Sequence, residues 1–251
     1  MANLTSAINY ALSGLSVSTV QSAVTSRNVS SAGDDNYSRR VAEVITLPNG
    51  VANATQIIRR TDRQLLDKLL STNSEASARQ VTVDALDRIN SLTGDPQEEQ
   101  SIAAGLGKLQ EALRSYGQNP SSPTLARATF EAARDVSQRL NKASTELSTI
   151  RTEADKAMAE SADRVNNLLN QFKVVNDAIV RGQGTANDLS DDLDQRDAIL
   201  KHLSDEIGIR TTTRTNNDVL IYAAGGAVLF EGSPRPVAFT TSGLLTAGQA
   251  G

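Results

Sequence analysis

A lone histidine, a knot of aspartates at one helix start and two pairs of glycines are the residues here whose types could do chemistry. His202 lies within a helical pattern whose apolar face passes through Leu203, so it reads as a solvated helix position, and no Ser-His-Asp set can be assembled around it. Asp188, Asp191, Asp192 and Asp194 carry enough charge for a divalent cation, but acids at these offsets point in several directions around a helix and lack the ligand spacing of a binding loop. They read instead as a complement to the exposed N–H groups of a helix start. Gly105 and Gly107 interrupt a helical pattern without following a strand, and Gly182-Gln183-Gly184 follows a helix end, so neither pair matches a phosphate-cradling loop. Glu98-Glu99 opens a helix and has no second carboxylate poised for acid–base work. Cysteine is absent, which removes disulfides, thiolate metal sites and a sulfur nucleophile. The expectation is a protein that is not an enzyme and has no catalytic residue, metal or cofactor.

The elements that would have to position any site are long and thin. Among 251 residues, aromatics make up 3% and tryptophan is missing, a composition suited to helix-on-helix seams of Leu, Ile, Val and Ala rather than a thick core. The formal net charge of -4, with basic residues scattered, offers no stripe for nucleic acid. No apolar run is long enough to span a bilayer, and MANLTSAINYALSGLS lacks the positive start and unbroken apolar block of a cleavable signal. Neither membrane insertion nor signal-peptide secretion is expected, which leaves the cytoplasm or an export route that reads an uncleaved N-terminus.

From Thr124 to Arg181 apolar or small residues recur at alternating spacings of three and four, which keeps one seam on one side of a supercoiled helix. Leu125, Thr129, Ala132, Val136, Leu140, Ala143 and Leu147 lead that seam; Ile150, Ala154, Ala157, Ser161, Val165, Leu168, Phe172, Val175 and Ile179 continue it. Ser122 is the expected N-cap, Pro123 suits the first turn, and Gly182 and Gly184 end the repeat. At 1.5 Å per residue such a helix reaches roughly 80 Å, the spine of a rod. Burial of this seam implies that Leu147→Asp is severely destabilising and that Asn141→Ala is not.

Leu4, Ile8, Ala11, Leu12 and Leu15 share one face of a thin helix from Asn3 to about Ser30, continued by Val20 and Val24 among weak helix formers. That face needs a partner, so these residues are expected to form an assembly interface, mobile in the free subunit and ordered on association. Val41–Leu47 and Val51–Ile58, with Pro48-Asn49-Gly50 between them, read as a hairpin. Asp62 caps a helix running to about Leu92, with Leu70, Ala78, Val81, Ala85, Ile89 and Leu92 on its inner face. Asp95-Pro96-Gln97-Glu98 reads as a capping box opening the next helix, whose seam is Ile102, Leu106, Leu109, Leu113 and Tyr116. Beyond Gly184, Asp188 caps a helix that turns Leu189, Leu193, Leu200, Leu203 and Ile207 inward. Gly208 then leads into short strands at Ile209–Arg214, Val219–Ala223 and Val228–Phe230, with room for another at Val237–Thr240. The ending, LLTAGQAG, leaves that β region short of the strands needed to close it. The fold class expected is mainly α: an elongated antiparallel helical bundle or coiled coil with a long central helix (61–208), preceded by an assembly helix and hairpin (1–60) and followed by the start of a β domain (209–251).

Three stretches, in their order and spacing, resemble one family. ALSGLSVSTVQ followed by TSRNVSSAGDDNYSRR, which contains Asn28, Tyr37, Ser38 and Arg39, is similar to the N-terminal assembly helix and loop of bacterial flagellar axial proteins, in the form carried by the hook-associated protein 1 family. Arg59, Asp62 and Leu65 in IIRRTDRQLLDKLL resemble that family's entry into its helical domain. DLSDDLDQRDAILKHLSDEIGI, with Leu193, Asp194, Arg196 and Asp197, followed by Thr-rich strands and a Gly-Gly turn before LFEG, resembles its last helix and first β-strands. One departure is Gly33-Asp34-Asp35-Asn36, which stands before Tyr37-Ser38-Arg39 where the family usually has Asn-Thr-Pro-Gly.

The resemblance spans this chain but only the N-terminal half of a family member. It implies that a C-terminal helix, absent from this sequence, packs beside the first, and that the chain alone builds no working junction. It further implies a structural component of the bacterial flagellum, exported by the flagellar type III apparatus and lying outside the cell at the junction of hook and filament. The implied partners are copies of itself in a ring, the hook protein and a neighbouring hook-associated protein. Hook-associated protein 3 or a flagellin-like axial protein stays open within the same class. A cytoplasmic coiled-coil adaptor or export chaperone stays open in another, although it leaves Tyr37-Ser38-Arg39 and the β-strands unexplained.

Overall fold

In a computed structural model that describes residues 2–46, 51–94, 99–185 and 188–242, the chain is mainly α, with a long central helix and small antiparallel sheets. Helix α1 (Ala2–Ser30) leads into a hairpin of β1 (Arg40–Thr46) and β2 (Ala52–Arg59). Helices α2 (Arg63–Thr93), α3 (Ile102–Gln118), α4 (Pro123–Gly182) and α5 (Ser190–Glu206) follow, then β3 (Ile209–Thr213), β4 (Val219–Ala223) and β5 (Val228–Phe230). The chain packs as two compact units, Met1–Glu75 with Arg164–Val237, and Ala76–Asp163 with Ala238–Gly251. A division at 60 and 208 follows the changes of secondary structure along the chain; compactness instead groups the N-terminal helix and hairpin with α5 and the last strands.

The first unit owns the large apolar core. Val165, Leu169, Phe172 and Ile179 of α4 meet Ile199, Leu200 and Leu203 of α5, Leu70 of α2, and the inner faces of β3, β4 and β5. Phe172 and Phe230 cross edge to face with centroids 4.9 Å apart, a geometry that adds about 0.5–1.5 kcal/mol to their burial. The three strands form an antiparallel meander in the order β3-β4-β5. Its first turn places Asn217 at φ 62, a left-handed position that asparagine tolerates better than other residues with a Cβ. Residues 237–240 form no strand. Pro234 and Pro236 remove two ladder donors just before them, and the Asn166 carboxamide takes the strand's place, accepting from the Val237 N–H and donating to its C=O at 2.8 Å each.

Helix α4 begins as its sequence dictates: the Leu125 N–H donates to Ser122 Oγ at 3.4 Å and Pro123 opens the first turn. Its buried row keeps Val136, Ile150, Val165, Phe172, Val175 and Ile179 of the expected seam and adds residues outside it. Asp155, Ala162, Leu169 and Asn176, seven residues apart, are buried together with Val165, Phe172 and Ile179, whereas Ala154 and Ala157 are exposed and Leu168 is only partly covered. Two of the added residues, Asp155 and Asn176, are polar, and an apolar pattern passes over them. Leu140 and Leu147 are also corrected, being 49% and 43% exposed.

In the second unit α3 lies antiparallel to the first half of α4. Thr129 Oγ1 donates to the Ala112 carbonyl at 3.1 Å, and a Cβ on Gly105 would meet Arg139 Cδ at 3.1 Å. The close approach centres the apposed row on Gly105, Leu109 and Ala112, so Leu106 and Leu113 are left about half exposed instead of sealing the seam. Ser101 caps α3, its Oγ accepting from the Ala104 N–H at 3.0 Å. The capping box read at Asp95-Pro96-Gln97-Glu98 and the turn read at Pro48-Asn49-Gly50 lie outside the described residues, as does the segment from 243 to 251. On α2 the expected inner face is covered at Leu70 but exposed at Ala78, Val81 and Ile89.

Candidate functional site

The hairpin sets two arginines directly opposite each other, Arg40 on β1 and Arg59 on β2. Like charges across a strand pair repel, so this register is stable only with acid nearby. Helix α5 supplies it through Asp191, Asp194 and Asp197, spaced three apart and therefore adjacent along one slanted stripe.

Arg40 is 2% exposed. Its Nη2 donates to Asp191 Oδ1 at 2.5 Å and to Asp194 Oδ2 at 2.8 Å. Arg59 donates from Nε to Asp194 Oδ1 at 2.9 Å, and from Nη2 to Asp197 Oδ2 at 2.7 Å and Ser38 Oγ at 3.0 Å. The Ser38 N–H completes the set, donating to Asp194 Oδ1 at 3.2 Å. Both oxygens of Asp194 thus accept from the N-terminal segment, which makes it a joint between the hairpin and α5.

Asn28, in the last turn of α1, closes the loop onto this joint. Its Nδ2 donates to the Arg40 carbonyl at 2.8 Å, while its Oδ1 accepts from the Arg40 N–H at 3.0 Å and from Tyr37 Oη at 2.8 Å. The Tyr37 ring lies under the Arg40 guanidinium, 4.9 Å from its centroid, so a cation–π contact covers one face. Arg40 Nε and Nη1 remain buried without a partner. Burial works to lower the Arg40 pKa, yet the hydrogen bonds and charges of Asp191 and Asp194 outweigh it and hold it raised. The hydrogen bond from Arg40 holds the Asp191 carboxyl below the ordinary carboxylate range.

Six of the motif residues therefore converge: Asn28, Tyr37, Ser38, Arg59, Asp194 and Asp197. The others do not. The Arg39 side chain is exposed and only its carbonyl takes part, accepting from the Arg60 N–H at 2.8 Å. Asp62 caps α2, its Oδ1 accepting from Gln64 and Leu65 N–H, while the Leu65 side chain is 67% exposed. Leu193 packs against the core from its edge. Arg196 belongs to a separate buried network, donating to the Asn217 carbonyl at 2.7 Å and to Asn176 Oδ1 at 3.4 Å. Burial pulls its pKa down to about 10.

The acids read as helix-start complement thus have specific partners: Asp191 and Asp194 hold Arg40, and Asp188 stands 4.0 Å from Arg27. Among the described residues no group of three or more His, Asp or Glu is arranged to hold a metal, and no helix is long and apolar enough to cross a membrane. His202 is 65% exposed beside Asp205. Of the expected assembly face, Leu4, Ile8, Leu12 and Leu15 are exposed by 70%, 51%, 59% and 65%. Ala11 is exposed as well, Val20 is half-buried, and Val24 is buried, along with Val17. Arg40 escaped notice in the sequence although one signal was present: the hairpin register that pairs it with Arg59 demands a counter-charge.

A family model for the "Flagellar hook-associated protein FlgK helical domain" matches residues 86–247. The "Flagellar hook-associated protein 1" of Salmonella typhimurium is 22% identical over 242 residues, covering 92% of this chain and 43% of the relative. Its namesake in Escherichia coli K12 is 23% identical over 241 residues, covering 92% and 44%. The chain thus spans less than half the length of these relatives. Among solved structures, that of the flagellar hook junction protein FlgK from Burkholderia pseudomallei superposes with a TM-score of 0.59 at 20% identity, over 66% of this chain and 29% of that one, a likeness of fold.

Proposed function

Because this chain belongs to the family of the flagellar hook-associated protein FlgK, we propose that it is a structural component of the bacterial flagellum that polymerises at the junction of hook and filament. The observation that carries this reading is the convergence of motif residues from separate stretches, Asn28, Tyr37 and Ser38, then Arg59, then Asp194 and Asp197, on one joint between the N-terminal segment and α5. The uncovered leucines of α1 support its reading as an assembly element. The partners proposed are neighbouring copies of the chain in a ring, the hook protein, an adjacent hook-associated protein, and the flagellar type III apparatus that exports it to the cell exterior.

Deleting the encoding gene from its host should leave cells with hooks and no filaments, and gold-labelled antibody against residues 61–208 should mark the hook–filament boundary in the parent. Label along the filament would instead indicate a flagellin-like role, label at its far side of the junction a hook-associated protein 3 role, and label confined to the cytoplasm an export chaperone or adaptor.

A further inference from the structure

We propose that α1, the loop at 31–39 and the β1–β2 hairpin form one detachable arm, docked on α5 by charge, which lets go as a unit when Asp191 and Asp194 are neutralised.

The arm is coherent in itself. Helix α1 packs against both strands, with Val17 and Val24 buried, and Asn28 binds both backbone groups of Arg40. Its attachment to the rest of the first unit is of another kind. Among the described residues, none from 1 to 60 belongs to the apolar core or packs on its edge. Where arm and body would otherwise bury apolar surface together, there is a cavity of about 1000 Å³, walled by Val20 and Ile58 on the arm and by Leu65, Leu66, Leu189 and Leu193 opposite. What bridges it is the polar stripe of α5: Arg40 and Arg59 on Asp191, Asp194 and Asp197, and, one turn on, Lys201 Nζ donating to the Asp35 carbonyl at 2.8 Å.

A joint made of charge in place of packing fails by loss of charge. Removing one member of a buried ion pair leaves its partner uncompensated, a far larger penalty than losing an exposed pair. The charged groups around Asp191 and Asp194 are cationic from the arm, namely Arg27, Arg40 and Arg59, with Asp34 and Asp35 further along the loop. At the start of α2 stand its cap Asp62 and then Arg63 and Asp67; Asp188 stands just before α5, and α5 itself carries Asp197, Arg196 and Lys201. Neutralising the two aspartates therefore leaves the arm's cations facing too little acid. The core, which contains neither, keeps its packing.

Amide exchange on the full chain at pH 7 tests this. In Asp194→Asn, peptides from Val17–Ser30 and from the hairpin should exchange at least tenfold faster than in wild type, while Leu169–Ile179 and Val219–Phe230 keep their protection. Asp191→Asn should act in the same direction more weakly, and Asp192→Asn, which removes the same charge away from the arginines, should leave the arm protected. In wild type brought to falling pH, pepsin should cut within 2–46 before it cuts within 165–230. Arm and core losing protection together, or an arm equally protected in wild type and Asp194→Asn, would overturn the proposal.

Discussion

Asn176 shows how one polar side chain can order three elements. Its carboxamide, 1% exposed, donates to Asp218 Oδ1 at 2.7 Å and accepts from the Val219 N–H at 3.2 Å and from Arg196. Asn176→Ala strands two buried groups, Asp218 Oδ1 and the Val219 N–H, each costing on the order of 1–3 kcal/mol when unpaired, while Arg196 keeps its bond to the Asn217 carbonyl, so the first unit should lose roughly 3 kcal/mol in urea unfolding. Asn170→Ala, at an exposed position on the same helix, should stay within about 0.5 kcal/mol; equal midpoints would deny the network its role. Acid acts at the same scale. Asp191 has a folded-state pKa below its unfolded value of 3.8, so its contribution is present above that pH and is lost as pH falls through the folded value. Asp191→Asn should accordingly flatten the dependence of stability on pH below about 4, as read by thermal melts at stepped pH. Little of this is visible in the sequence: the partners of the Asn176 carboxamide lie 20 to 43 residues away and the aspartates that hold the Arg40 guanidinium 151 and 154 away, and a local pattern reports only its own helix.

At the scale of elements, the sequence spoke clearly about existence and poorly about facing. The caps at Asp62 and Ser122, the hairpin and the meander stand where turn and capping chemistry put them. The faces of α3 and α4 depart from the expected rows where each helix turns small or polar members inward, Gly105 on α3 and Ala162 and Asn176 on α4. Two variants measure that departure. Leu169→Ala, at a fully buried site, should cost about 2–5 kcal/mol, against roughly 1 kcal/mol or less for Leu147→Ala, whose side chain already meets water; the reverse order would restore the expected seam. On α3, Gly107 has open space around it, so Gly107→Ala should stabilise by up to about 1 kcal/mol in thermal denaturation. Gly105→Ala, pressed against Arg139, should gain less.

For the molecule as a whole, the division of apolar burial is lopsided. Val136, Ile150 and Ala162 are the buried apolar side chains described in the second unit, while the first holds Phe172, Phe230 and the leucines packed between them. Amides in α3 and in residues 130–160 of α4 should therefore exchange by low-energy openings, well before those of 165–179; uniform protection along α4 would contradict that. Helix α1 adds a property of a different order. Arg27 is the sole charged side chain between residues 2 and 30, so the whole net charge of -4 and more is carried elsewhere, and the face of Leu4, Ile8, Leu12 and Leu15 has no like-charge repulsion of its own to keep copies apart. Its stickiness is colloidal, set by concentration and temperature. Warming from the cold strengthens it, because apolar association weakens on cooling, and neither added salt at moderate strength nor a shift of pH around neutrality has a local charge on that face to act upon.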